Sequence, residues 1–288
     1  MSFRKLEIQN EYRPRTAHTP VSFFRDAIGQ SLFYRRAAGY FSSSVFDLFR
    51  EEFIEFSTRG GKINLVCSPF ISEGDFLEIQ DKGSLETAIN TSIISQINYL
   101  SDHQWSQNPV KFFGSLVNLG ILEVRIAYYA TGGLFHDKTG YFKDPAGNTI
   151  SFRGSANETF MGWSKNGNYE SIEAFHSWIE FDKRRVKSHQ TYLDDLWEMN
   201  VEGVSLLSLP EASKERLKLI GHDDIVSCSS LFQPMGREGN HQFVQKRTLM
   251  PHQIDSIVDW ESHGSRGILN HATGSGKTVT AIEPPFPR

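Results

Sequence analysis

Two cysteines in 288 residues leave no room for a disulfide framework. Cys67 and Cys228 show no metal-ligand spacing, and Cys67 sits in an apolar run that marks it as a small core residue. Basic excess is also missing. Thirty Lys and Arg face 34 Asp and Glu, giving a net charge of -4 and a pI near 6.2. That excludes a protein that coats nucleic acid through its overall field, so any contact with DNA or RNA needs a local basic groove. No segment approaches the roughly 18 apolar residues of a membrane span. The stretch Met1–Glu7 is charged and carries no apolar signal core. A cytoplasmic protein is expected, without a membrane anchor, although a lipid substrate stays open. Internal repeats and low-complexity tracts are lacking too.

Hydrophobic residues make up 39% of the chain and charged residues 22%. That is enough for one large domain or two small ones with a real core. Residues up to Ala37 alternate basic and aromatic side chains. Ala38–Phe41 reads as a short buried strand, and one of Ser42, Ser43 and Ser44 can cap a following helix. That helix would place Val45, Leu48, Phe49, Phe53 and Phe56 on one face and end at Arg59-Gly60-Gly61. Lys62–Cys67 and Leu122–Tyr129 read as strands. Between them lie amphipathic stretches at 85–100 and 110–119, with Gly120 as a stop. Strands at 134–143 and 149–154 flank Asp144-Pro145-Ala146-Gly147-Asn148, a run rich in turn residues. Segments 170–175 and 177–181 suit one or two further strands, and 183–199 suits a helix. The alternation of strands and helices predicts an α/β fold with a mixed sheet flanked by helices. Residues 1–200 form the predicted first domain. A connector with a short helix near 210–219 spans 201–245, and a distinct segment occupies 246–288.

His136-Asp137-Lys138 lies on a predicted strand, where residues two apart share a face. The imidazole and the ammonium therefore converge. Of the ten histidines, only His136 has a lysine two positions on. The partner strand of the hairpin ends in Gly154-Ser155-Ala156-Asn157, which returns two neutral hydrogen-bond donors, Ser155 and Asn157, to the same neighbourhood. Glu170 follows; a carboxylate can hold an imidazole Nδ1–H and expose Nε2 as a nucleophile. Glu158 and Thr159 either line the site or cap the next segment. Lys183-Arg184-Arg185 with Lys187 either faces a nucleic-acid backbone or forms a solvated helix start.

The ordered set His136-x-Lys138, Gly154-Ser155-x-Asn157 and Glu170 resembles the signature of the phospholipase D superfamily. Together with Ala38-Gly39-Tyr40-Phe41-Ser42 and the run from Glu170 to Trp178, it most resembles the nuclease branch found in bacterial proteins with an attached helicase. The resemblance spans about residues 1–200. It implies a phospholipase D-like sheet and a metal-independent phosphodiesterase without a cofactor. One histidine attacks phosphorus to form a phosphohistidine, and a second protonates the leaving oxygen and then activates water. Lysine, serine and asparagine stabilise charge on the non-bridging oxygens. With one His-x-Lys per chain, it implies a homodimer whose shared site takes His136, Lys138 and Asn157 from each copy. One departure stands out: the family places an aspartate after four intervening residues from the lysine. Here Asp144 comes after five, so Asp144 is read as a turn residue outside the site.

Ala272-Thr273-Gly274-Ser275-Gly276-Lys277-Thr278 matches the phosphate-binding loop of superfamily-two helicases. Gly274 and Gly276 would let backbone amides approach phosphate, Lys277 would reach the β and γ phosphates, and Thr278 would hold Mg²⁺. Leu249–Gln253 resembles the adenine-recognising segment of that family, with Gln253 reading the adenine edge. The sequence ends ten residues after Thr278, and Pro284, Pro285 and Pro287 break the expected helix. Without the acidic metal-binding strand, the expectation is no ATP hydrolysis by these residues and weak nucleotide binding at best. ATP and Mg²⁺ would belong only to a full-length helicase. Helicase lobes or other defence-system subunits are the implied partners, DNA is the implied substrate, and a bacterial restriction or phage-defence system is the implied setting.

Overall fold

The computed structural model describes residues 2–68, 87–94, 97–98, 107–129, 135–164, 167–228, 251–264, 266–267 and 280. Eight strands make one mixed sheet: β1 (Glu11–Tyr12), β2 (Phe33–Ala38), β3 (Lys62–Cys67), β4 (Leu122–Tyr129), β5 (Thr139–Lys143), β6 (Thr149–Gly154), β7 (Ile172–His176) and β8 (Val204–Ser208). Their order across the sheet is β1-β7-β6-β5-β2-β3-β4-β8. The pairs β2·β3 and β3·β4 are parallel, and every other pair is antiparallel. The named helices are α1 (Pro20–Gln30), α2 (Val45–Leu48), α3 (Arg50–Thr58), α4 (Gln107–Asn118), α5 (Phe160–Trp163), α6 (Glu180–Trp197), α7 (Glu211–Ile220) and α8 (Pro251–Ser262). This is the mixed α/β sheet flanked by helices that the sequence pattern predicts.

Side chains alternate across β2 because successive residues of a strand face opposite ways. Tyr34 and Ala38 enter the larger core, while Ala37 enters the smaller one with Phe33 packed against it. The larger core is rich in aromatic rings. Phe24 sits 4.3 Å from the Phe49 ring centroid, 4.7 Å from Trp163, 5.5 Å from Tyr34 and 5.6 Å from Phe142. The smaller core packs Leu193, Leu196 and Trp197 of α6 against Val66, Ala127 and Tyr141 of the sheet.

Several boundaries differ from the sequence reading. The strand expected at 38–41 is β2, which ends at Ala38 and leaves 39–42 as the segment that crosses the sheet end. The single helix expected after Ser44 is two, α2 and α3, broken at Phe49, whose backbone (φ -124°, ψ 30°) lets its ring reach the Phe24 cluster. The first hairpin strand starts at Thr139, so His136 and Lys138 precede it. Only one strand, β7, occupies 170–181, because helix α6 already begins at Glu180. The sheet also continues past residue 200: β8 pairs with β4, and Ser115 of α4 bonds the chain just after α7, accepting from His222 N at 2.7 Å.

Gln253 is buried on α8. The phosphate-loop residues Gly274, Gly276, Lys277 and Thr278 lie outside the described residues. Among the described residues no helix is long and apolar enough to cross a membrane.

Candidate active site

Strand directions bring the motif residues to one end of the sheet. β5 runs antiparallel to β2, so the residues that lead into Thr139 lie beside the end of β2. β6 runs antiparallel to β5, which places Gly154–Asn157 next to Lys138. β7 runs antiparallel to β6, so Glu170, just before β7, comes to the same end. The backbone closes the junction through Gly154 N to Lys138 O at 3.3 Å and Ser155 N to Ser171 O at 3.1 Å. Gly154 is required for that approach, since a Cβ there would lie 2.1 Å from Ser171 O.

His136 is exposed and rests on Gly39: a Cβ at position 39 would fall 2.7 Å from its Cδ2 and 3.2 Å from Asn157 Oδ1. The backbone Tyr40 N–H donates to Asn157 Oδ1 at 3.1 Å. An N–H can only donate, so this contact fixes the amide orientation and leaves Asn157 Nδ2 as a donor for a ligand. Lys138 Nζ lies 3.1 Å from both His136 Nδ1 and Nε2. Burial and the Lys138 ammonium push the His136 pKa down, which favours the neutral, nucleophilic imidazole. Lys138 is itself buried, at 9% exposure. Burial and Arg36 lower its pKa, while Glu170 and Asp137 act the other way. Among the described residues no carboxylate lies within ion-pair distance of Lys138, so its charge is available to an anion.

Ser155 is exposed; its Oγ accepts from Ser171 N at 3.1 Å and keeps its own proton to donate. Glu170 stands apart from the expectation. Its Oε1 accepts from Asn168 Nδ2 at 3.2 Å, and it reaches the site through its charge on Lys138, with no hydrogen bond to His136. Thus His136, Lys138, Ser155 and Asn157 come together, with Glu170 at the rim.

Asp144 is where its turn reading puts it. The carboxylate accepts from Phe3 N, Asn148 N and Asn148 Nδ2, each at 2.8 Å, and clasps the hairpin to the amino-terminal segment. The two readings of Glu158 and Thr159 separate. Thr159 caps α5, accepting from Gly162 N at 2.9 Å. Glu158 is buried behind the site, where it meets Arg36. In the basic run, Lys183 pairs with Glu180, and Arg185 lies 4.6 Å over the Phe175 ring. Sequence reasoning missed Arg36 and the precise contacts of Gly39 and Tyr40. The string Ala38-Gly39-Tyr40-Phe41-Ser42 was the signal for the last two. Among the described residues no group of three or more His, Cys, Asp or Glu side chains is arranged to hold a metal ion.

No family model and no curated protein matches the chain. Among solved structures it is similar to NucT from Helicobacter pylori, at 16% identity and a TM-score of 0.33, over 61% of this chain and 87% of that one. It is similar to Nuc from Salmonella typhimurium, a phospholipase D family member, at 13% identity and a TM-score of 0.37, over 68% of this chain and 95% of that one. A third is phosphatidylserine synthase from Haemophilus influenzae, at 12% identity and a TM-score of 0.43, over 73% of this chain and 44% of that one. Identities and scores this low leave function to the chemistry of the site.

Proposed function

We propose that the chain is a phosphodiesterase of the phospholipase D type that cleaves DNA without a metal ion, through a phosphohistidine on His136. The observation that carries this reading is the contact of Lys138 with His136 beside the oriented amide of Asn157. A neutral imidazole nitrogen and a cation then lie beside an oriented amide, the groups that displacement at a phosphodiester needs. His136 attacks phosphorus, forming the P–N bond as the P–O bond to the leaving oxygen breaks. The leaving oxygen takes its proton from the His136 of a second copy. That histidine, now neutral, accepts a proton from water as the water oxygen attacks phosphorus and releases His136. Lys138, Ser155 and Asn157 hold the non-bridging oxygens. In the free protein, Lys138 Nζ rests on the imidazole; bound phosphate oxygens would draw it away.

Two chains paired about a two-fold supply the second histidine. DNA as substrate, and a place in a bacterial restriction or defence nuclease–helicase, rest on the phosphate-loop motif near Lys277 and not on the site. The site chemistry suits a lipid phosphodiester equally, so the test offers both. Supercoiled plasmid, single-stranded DNA and phosphatidylcholine are incubated with the chain in excess EDTA, with His136→Ala as control. DNA cleavage that persists in EDTA and disappears in the variant supports the reading. Loss of activity with EDTA, or equal activity in the variant, contradicts it, and turnover of the lipid alone moves the substrate class. An active species of monomer mass would contradict the shared site.

A further inference from the structure

A buried ion pair lies directly behind the motif residues. Arg36, on β2, is 1% exposed, and Glu158 is 3% exposed. Their Nε and Oε2 atoms are 3.2 Å apart. Arg36 Nη2 donates to Ala156 O at 2.6 Å, and its guanidinium lies 4.8 Å from the Phe152 ring and 5.8 Å from Trp163. Glu158 accepts from Tyr34 Oη, 3.2 Å from each carboxylate oxygen, and from Trp163 Nε1 at 3.3 Å. Its backbone is held as well: Glu158 N donates to Tyr40 O at 3.1 Å, and Ser42 N donates to Glu158 O at 2.9 Å.

The pair therefore grips residues 156 and 158, on either side of Asn157. The same two segments carry Tyr40, whose N–H orients the Asn157 amide, and Gly39, on which His136 rests. A stability role explains the pair poorly. Removing two charges from water costs about as much as their attraction returns, so apolar residues of similar volume serve a core as well or better. What apolar residues cannot do is hold a backbone carbonyl with an N–H, as Arg36 Nη2 does, or place a fixed cation behind the site.

We propose that Arg36 and Glu158 are positioning residues of the active site. They lock Asn157 between them by holding the backbone on either side of it. The proposal rests on the functional reading above for its kinetic consequence but not for its structural one. Lys138 touches His136, and the charges that act on it are those of Arg36, Glu170 and Asp137. Of these, Arg36 is the buried cation, and it acts with burial to lower the Lys138 pKa.

The test uses the full chain and two variants. Arg36→Met with Glu158→Leu replaces both charges by apolar side chains of similar size. Glu158→Gln keeps the size but removes one charge. The double variant is expected to unfold at or above the wild-type temperature, yet to cleave DNA in EDTA with a kcat about 100-fold lower and a KM within about 3-fold of wild type. Glu158→Gln strands the buried Arg36 charge, so it should unfold at a lower temperature than the double variant and show the same split between kcat and KM when assayed well below that temperature. In lysine-labelled protein, the ¹³C shift of the Lys138 ε-methylene should titrate at higher pH in the double variant. The Asn157 side-chain amide resonances should move in both variants. A purely structural pair predicts otherwise: wild-type kcat in folded protein, or losses that track the unfolded fraction, would overturn the proposal. If wild-type protein cleaves no DNA, the functional reading fails by itself. The resonances then decide, and an unchanged Lys138 titration with unmoved Asn157 amide signals overturns the proposal. If the double variant does not fold, the kinetics and Asn157 resonances of Glu158→Gln, measured below its own unfolding temperature, decide in the same way.

Discussion

Gly39→Ala asks whether a backbone contact at the end of β2 sets the position of His136. The added methyl would lie 2.7 Å from His136 Cδ2, 3.2 Å from its Cα and 3.2 Å from Asn157 Oδ1. Carbon atoms in contact sit roughly 3.5–4.0 Å apart, so the ring must retreat by about 1 Å. The imidazole is exposed and can turn outward without opening a core. The loss of stability should therefore stay at the low end for overpacking, about 1 kcal/mol. Catalysis has less slack, because a displacement of about 1 Å costs on the order of 100-fold in rate. The expected result is a fall of that size in DNA cleavage, measured in EDTA, with a denaturant midpoint close to wild type. Gly29→Ala is the control. Nothing lies within 4 Å of a methyl there, and the residue is inside α1. It should gain about 0.5–1 kcal/mol and keep full activity. Wild-type activity in Gly39→Ala, or a stability loss as large as a core truncation, would refute the reasoning.

Phe24→Ala removes a fully buried ring from contact with Phe49, Trp163, Tyr34 and Phe142, and should cost about 3–5 kcal/mol in urea or guanidinium unfolding; a loss under about 1 kcal/mol would contradict the packing described. For Asp144, burial acts to raise the carboxyl pKa, but donors from Asn148, Phe3 and Ala146 outweigh it and hold the group below the usual carboxylate range. Its stabilising contribution is complete above the unfolded value of about 3.9 and is lost as pH falls through the lower folded value. Asp144→Ala should thus lose about 1–3 kcal/mol at pH 7, a gap that closes in acid, with cleavage unchanged under folded conditions. The lowered pKa of His136 sets the pH profile. The imidazole becomes nucleophilic as pH rises through its folded value, so the acid limb of kcat/KM should fall below about pH 6.5. An acid limb above that would argue against His136 as the nucleophile.

The strands β3 and β4 were legible in the sequence because both are dense in aliphatic residues and are bounded by glycine. Gly60 ahead of β3 and Gly120 ahead of β4 adopt φ of +82° and +61°, which is why those two punctuate the chain so clearly. Helix α1 was missed, although Thr19 and Pro20 are a cap and a first-turn proline, and Thr19 does accept from Ser22 N at 3.2 Å. Its apolar face, Phe23, Phe24, Ala27 and Ile28, reads among nearby arginines as a mere alternation of basic and aromatic residues. Strand β8 was missed for a different reason. Five residues after a loop carry little periodicity, and the strand exists because β4 offers it an edge.

The site divides along the same line. His136 and Lys138 are two residues apart, and Ser155 and Asn157 are also two apart, so local spacing marks the groups proposed to carry chemistry. What holds them comes from far away. Tyr40 and Asn157 are 117 residues apart, and Arg36 and Ala156 are 120 apart. Neither pairing has a local pattern: Glu158 reads equally as a site lining or a cap, and Arg36 falls in a stretch that reads only as alternating basic and aromatic residues. The sheet order decides otherwise. β2 lies beside β5, and β5 beside β6, so residues at the end of β2 must face the loop that leaves β6. Burial then removes water as a competing partner, and a guanidinium without water must find a carboxylate and a carbonyl. The environment of the candidate site is therefore a property of topology. A variant that preserves every motif residue but weakens the register of β2 against β5 should lose activity before it loses the fold.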